Sequence, residues 1–237
     1  MHIIKIRDKA NLVLLQGLGV LLLFLMAFST VQAVELDSKN RDPKYVESIL
    51  GRAKKNVEKL ELKDAEATRN VTNIIANRYF KLNDIYAQRD STVAKIKRSN
   101  LTGDTKKVAL AAAENEKESA IYRSHFAFPA DLSLYLNDKQ IEAVKDGITF
   151  GVVMVTYTAT LDMIPSLKEE EKAQIMSWLV EAREFAIDAE SANKKHEAFG
   201  KYKGRINNYL AKRGYDLVKE REAWYARIKA RNAEKKK

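Results

Sequence analysis

Arginine, lysine, asparagine and tyrosine crowd into one stretch, Lys201-Tyr-Lys-Gly-Arg-Ile-Asn-Asn-Tyr209. At helical spacing Lys201, Arg205 and Asn208 fall near one face, Lys203 and Asn207 on another, and Tyr202, Ile206 and Tyr209 on an apolar side. Two chemistries suit this set. Guanidinium and amide groups orient carboxylates and hydroxyls while aromatic rings stack on sugars, which would make an acidic-glycan contact. The same groups can instead satisfy one another at a helix crossing, with Gly204 allowing close approach. The apolar neighbours of Arg205 predict a buried guanidinium paired with Asp146, Asp162, Glu181 or Glu184.

Those four acids could do acid–base work only if they converged. Asp146 precedes Gly147 inside an apolar helical pattern, an unusual place for a charge. Asp162 lies too far along a straight helix to meet it, so any pair must form across helices. The structural alternative is an ion pair from Asp146 to Arg183 or Arg205. The candidate binding set is Asp146, Tyr157, Asp162, Lys203, Arg205, Asn207 and Asn208, with no catalytic residue assigned. Metal chemistry has little support. Besides His2, only His125 and His196 exist, at no zinc-helix spacing, and there is no cysteine. No EF-hand loop, phosphate loop or Gly-x-Ser-x-Gly context occurs either, so no metal or cofactor is expected.

The elements that must position these residues read as helices. Asp42-Pro43 caps and opens the first, with Val46, Ile49, Leu50, Ala53, Val57 and Leu60 on one face. After a break near Leu62-Lys63, a long helix carries Val71, Ile74, Ile75, Tyr79, Leu82, Ile85, Tyr86, Val93 and Ile96. Asn100 to Asp104 is a turn. Lys106 to about Phe126 is helical with a weak apolar face, and Phe128-Pro-Ala-Asp131 should break it. Leu136 to Met163 alternates like a strand from Ile148 to Thr156 but also keeps a helical face; its length predicts one buried helix. Pro165 ends it, and Ser166 to Glu169 has capping-box spacing. A helix over about Ala192 to Arg213 follows, with Gly214 at its left-handed cap, and Asp216 caps a last helix before a charged tail at 232–237.

The chain of 237 residues contains only nine glycines and three prolines, too few for a turn-rich all-β fold. With 46% hydrophobic residues it can build one core without disulfides. The expected fold is a single all-α domain at 34–231, six or seven helices in an irregular bundle. Lys5, Arg7 and Lys9, then the apolar run Leu12 to Phe28, then Val31-Gln-Ala33 predict a signal peptide over residues 1–33, cleaved after Ala33. An uncleaved anchor helix is the alternative. Without cysteine the protein cannot be a bacterial lipoprotein. No later run is apolar enough to span a membrane. The formal charge of +10 suits an anionic glycan, an anionic lipid or an acidic protein partner, and it also serves solubility. Export makes nucleic acid an unsuitable partner.

Three short segments share a shape: Leu62-Lys-Asp-Ala-Glu66, Leu136-Asn-Asp-Lys-Gln140 and Leu167-Lys-Glu-Glu-Glu171. Each reads as a helix start, a leucine staple followed by acids near the helix N-terminus. They also resemble the leucine-threonine-x-x-glutamine repeat of periplasmic helical chaperones, without its threonine. A broader resemblance runs through Val144-Lys-Asp-Gly-Ile-Thr149, Val155-Thr-Tyr157, Leu161-Asp-Met-Ile-Pro165, Glu181-Ala-Arg-Glu184, Phe199 to Leu210 and Arg213-Gly-Tyr-Asp216. Together these resemble an exported helical family of Bacteroidetes, domain of unknown function family 3826. The resemblance implies a periplasmic or cell-surface setting, often beside systems that degrade plant polysaccharides. It carries over no catalytic residue.

The leading functional expectation is therefore a non-catalytic exported binding or accessory protein, with an acidic glycan or a partner protein as ligand. An enzyme using helix-borne carboxylates on polysaccharide fragments and a chaperone-like helical binder are the alternatives.

Overall fold

The computed structural model describes residues 33–234, so the expected signal peptide lies outside the described residues apart from its last position. Every regular element among the described residues is helical. There are nine α-helices: α1 (Pro43–Val57), α2 (Ala65–Arg98), α3 (Gly103–His125), α4 (Ala127–Ser133), α5 (Asp138–Ile148), α6 (Val152–Met163), α7 (Glu169–Ala186), α8 (Ala192–Lys212) and α9 (Leu217–Glu234). The single all-α domain holds. None of these helices is long and apolar enough to cross a membrane.

The predicted starts are met by specific side chains. Asp42 accepts from the Tyr45 amide with Pro43 in the first turn, and Asp216 accepts from Val218 and Lys219. Gly214 takes φ +94° after α8, as a left-handed cap requires. All three leucine-led segments are helix starts. Asp64 caps α2, Asn137 and Gln140 form a reciprocal capping box on α5, and the Glu171 carboxylate accepts from the Lys168 amide at α7. At α7 this moves the cap from Ser166 to Lys168.

Four expectations change. The stretch 136–163 is two helices, because Phe150 (φ +62°) and Gly151 (φ +66°) are both left-handed and end α5. The break rotates α6, so it is not a buried helix: Val153 is buried, but Met154 and Val155 are 49% and 66% exposed. Phe128 to Asp131 does not break helix; it lies inside α4, where Pro129 in the first turn needs no intrahelical donor. The charged tail is still helical through Glu234. The split of 136–163 and the separate α4 account for nine α-helices among the described residues where six or seven were expected.

Two apolar clusters form the interior. The first joins α1, α2, α4 and α5 around Phe80, Ile75, Leu132 and Val144. The second joins α6, α7 and α8 around Leu179, Ile175, Phe199 and Leu210. Arg183 of α7 connects them through charge. It is 3% exposed and binds Asp146 at 2.8 Å, Glu142, and the neighbouring Glu184 at 3.3 Å. A guanidinium so buried needs all these acceptors to offset its desolvation.

Candidate functional site

Helical spacing places two rows of polar and aromatic side chains opposite each other. On α1 and the 3-10 turn that follows it (Glu58–Leu60), Tyr45, Ile49, Arg52, Asn56 and Lys59 follow steps of three or four residues, with Lys55 beside them. On α2, Tyr79, Asn83, Tyr86 and Asp90 do the same, with Leu82 beside them. Their apolar members continue into the first core cluster, which fixes the distance between the two helices. Between the rows lies a cleft of about 650 Å³, within the range of small-ligand sites, roughly 300–1,000 Å³. Gly147, Ile148 and Phe150 close one side, and the α7–α8 loop with Lys195 closes the inner end.

The floor is tightly fitted. Asn56 is buried and donates from Nδ2 to the Val144 carbonyl at 3.1 Å. A Cβ at Gly147 would collide with its carboxamide, so any larger residue there would force Asn56 to shift. The inner wall is held by a buried ionic group: Arg78 binds the Asp188 carboxylate and Ser124, and His125 Nδ1 lies 2.7 Å from the same carboxylate. Tyr86 donates to the Asp188 carbonyl at 2.9 Å, tying α2 to the α7–α8 loop.

The electrostatics are one-sided. Among the described residues, Arg52, Lys55, Lys59 and Lys195 form no ion pair with a carboxylate. The two acids on the lining, Asp90 and Glu190, are both engaged by Arg89, at 2.6 and 3.2 Å. Burial raises the Tyr45, Tyr79 and Tyr86 phenols above their usual range, so they remain neutral hydrogen-bond donors at neutral pH. Burial acts oppositely on Lys195, lowering its amine to about 8. Chemically, the cleft offers neutral rings to stack, an amide, and cations that form no close ion pair among the described residues.

The residues singled out from sequence lie elsewhere and do not form one site. Asp146 faces Arg183 across the α5–α7 contact, so the ion-pair alternative is the one realised. Its oddity as a mid-helix charge disappears because α5 ends just beyond it. Asp162 accepts from Trp224 Nε1 at 2.6 Å and from both terminal nitrogens of Arg231, fastening α9 to the end of α6. Tyr157 packs at the edge of the second core cluster. Lys203, Asn207 and Asn208 are exposed on α8. Arg205 is a correction: it pairs with Glu181 at 3.3 Å, one of the expected partners, but its side chain is 52% exposed. It lies over the Trp178 ring, 4.5 Å from the centroid, so the aromatic neighbours form a surface shelf and do not enclose the charge. The helical periodicity of α2 places Tyr79 and Tyr86 on its inward face, which does not distinguish core from cleft. The available signal was the row Arg52, Lys55 and Lys59 at steps of three and four along α1 and the turn after it.

These features define a basic, all-α protein with an aromatic and cationic cleft between its first two helices. Residues 46–230 match the family described as "Protein of unknown function (DUF3826)", and the chain belongs to that family. No curated protein matches the chain.

Proposed function

We propose that the protein is an exported, non-catalytic binding protein that takes an acidic saccharide into the α1–α2 cleft. The observation that carries this is the placing of Tyr45, Tyr79 and Tyr86 beside cations that form no ion pair with a carboxylate among the described residues. Sugars present apolar C–H faces to aromatic rings and hydroxyls to amides, and a uronic carboxylate supplies the missing negative charge. The volume suits a short oligosaccharide. The leader pattern of residues 1–33 supports export. The resemblance to Bacteroidetes proteins found beside polysaccharide-degrading systems supports the ligand class.

An enzyme working through two carboxylates is less well supported. Hydrolysis needs a pair of acids flanking one glycosidic bond, whereas Asp146, Asp162 and Glu181 are each engaged by a different cation. The chaperone-like reading rested on the three leucine-led segments, which capping explains.

A thermal-shift series on residues 34–237 tests the proposal. Uronate-rich oligosaccharides should raise the melting temperature, by the equivalent of about 2.7 kcal/mol at a hundredfold excess over Kd. Neutral oligosaccharides should do much less, and Tyr79→Ala and Arg52→Ala should each reduce the shift. Equal shifts with charged and neutral sugars, or none with either, would refute the acidic-saccharide assignment.

A further inference from the structure

At the inner end of the cleft a buried amine has incomplete bonding. Lys195 is 6% exposed and lies in the first turns of α8. Its Nζ donates to the Ala186 carbonyl at 3.0 Å and the Ile187 carbonyl at 3.3 Å, at the C-terminal end of α7. A neutral amine has two N–H groups, and these two carbonyls satisfy both. An ammonium has three, and among the described residues no acceptor meets the third. The protein alone therefore completes the bonding of the neutral form, while the charged form needs an acceptor from the cleft.

The surrounding groups do not supply one. From α2 come Arg78, Tyr86 and Asp90, from α1 come Arg52 and Lys55, and from the 3-10 turn after it comes Lys59. From α3, His125 acts through Asp188. The α7–α8 loop brings Asp188, committed to Arg78 and His125, and Glu190, committed to Arg89. The α5 end contributes Gly147 and Ile148, which carry no charge. On α8 itself Lys194 pairs with Glu197, and His196 stacks on Phe150.

We propose that Lys195 marks a carboxylate subsite at the inner end of the cleft, and that an acidic ligand binds there together with a proton taken up by this amine. The inference rests on the acidic-saccharide reading and deepens it by naming the group that recognises the acid. The proton comes from solvent and adds to Nζ; the third N–H then donates to the ligand carboxylate. Burial holds the free amine near 8, so uptake belongs to mildly alkaline solution and vanishes where the amine is already charged. Specificity for acid over ester follows, because an ester offers no negative charge to hold the ammonium.

Calorimetry of residues 34–237 with tri-galacturonate and with its methyl ester tests this. Buffers of different ionisation enthalpy measure proton uptake. At pH 8.5 the acid should bind with uptake of roughly half a proton or more, and at pH 6.5 with almost none. The ester should bind at least about tenfold more weakly, without uptake. Lys195→Met should lose the preference for acid over ester while still binding both through the tyrosines. The uptake measurement needs no variant, so poor folding of Lys195→Met does not remove the test. Binding of the acid without uptake at pH 8.5, or an unchanged preference in Lys195→Met, would overturn the Lys195 subsite and leave the saccharide reading standing. Binding of neither sugar would overturn that reading, and the subsite with it.

Discussion

At the scale of single residues, the same side-chain types carry different weight according to burial. Arg205 and Arg183 are both helix-borne guanidiniums paired with acids, yet one is half exposed and the other enclosed. An exposed pair contributes little, because water solvates both ions well and the side chains lose entropy on pairing. Arg205→Ala should therefore cost under about 1 kcal/mol, part of it from the lost stacking on Trp178. Its urea midpoint should lie close to the parent's, and a large drop would mean the side chain is buried after all. Lys195 shows the converse. Nothing in its sequence neighbourhood, Asn-Lys-Lys-His, separates it from Lys194 beside it, although one is buried and the other exposed.

Among elements, the joins matter more than the helices. The α5–α6 break at Phe150-Gly151 sets the side of the cleft, and the segment 34–37 before α1 is bonded to α2 through asparagine side chains. Asn70, Asn73 and Asn77 of α2 bond the backbone of Val34, Glu35 and Asp37, at 2.8 to 3.1 Å. The last helix depends on Asp162. Bonds first from Arg231 and then from Trp224 lower its carboxyl from 3.8 to about 2. A carboxyl with a lowered folded-state pKa stabilises docking above about pH 4, and that contribution is lost as pH falls through about 2. Asp162→Asn should leave most of the fold intact and speed amide exchange across Leu217–Glu234. The parent should show the same change between about pH 4 and pH 2. Unchanged exchange in that helix would show that Asp162 is not its anchor.

For the whole molecule, two apolar clusters are joined by a polar seam. Arg183 spans it, linking α7 to Glu142 and Asp146 of α5. Removing it leaves carboxylates that partly reach water, so Arg183→Ala should cost about 2–3 kcal/mol, below the ~3–5 of a fully enclosed pair. Lysine should not rescue it, because a single ammonium cannot bond both carboxylates in the guanidinium geometry. Chemical denaturation measures the loss, and a cost under about 1 kcal/mol would mean that the apolar clusters hold each other without the seam. A broader unfolding transition in the variant would further indicate that the seam couples the two clusters into one cooperative unit.

Helix starts, stops and inward faces were legible because they depend on neighbours within a turn or two. Asp42-Pro43, Asn137 with Gln140, Gly214 and Asp216 each act on backbone groups next to them. The periodic faces of α1, α2 and α8 bury themselves wherever the helices pack. The family was legible for a related reason, since its motifs are local strings. The break at Phe150 was not legible, because a non-glycine residue takes a left-handed conformation only when its surroundings hold it there. Nor was the cleft. It needs the register of α1 against α2, which places Arg52, Lys55 and Lys59 opposite Tyr79 and Tyr86, and the α7–α8 loop brought in from more than a hundred residues away. Whether a polar residue on a helix meets water, an ion partner or a ligand space depends on what packs opposite it, and only the tertiary structure decides that.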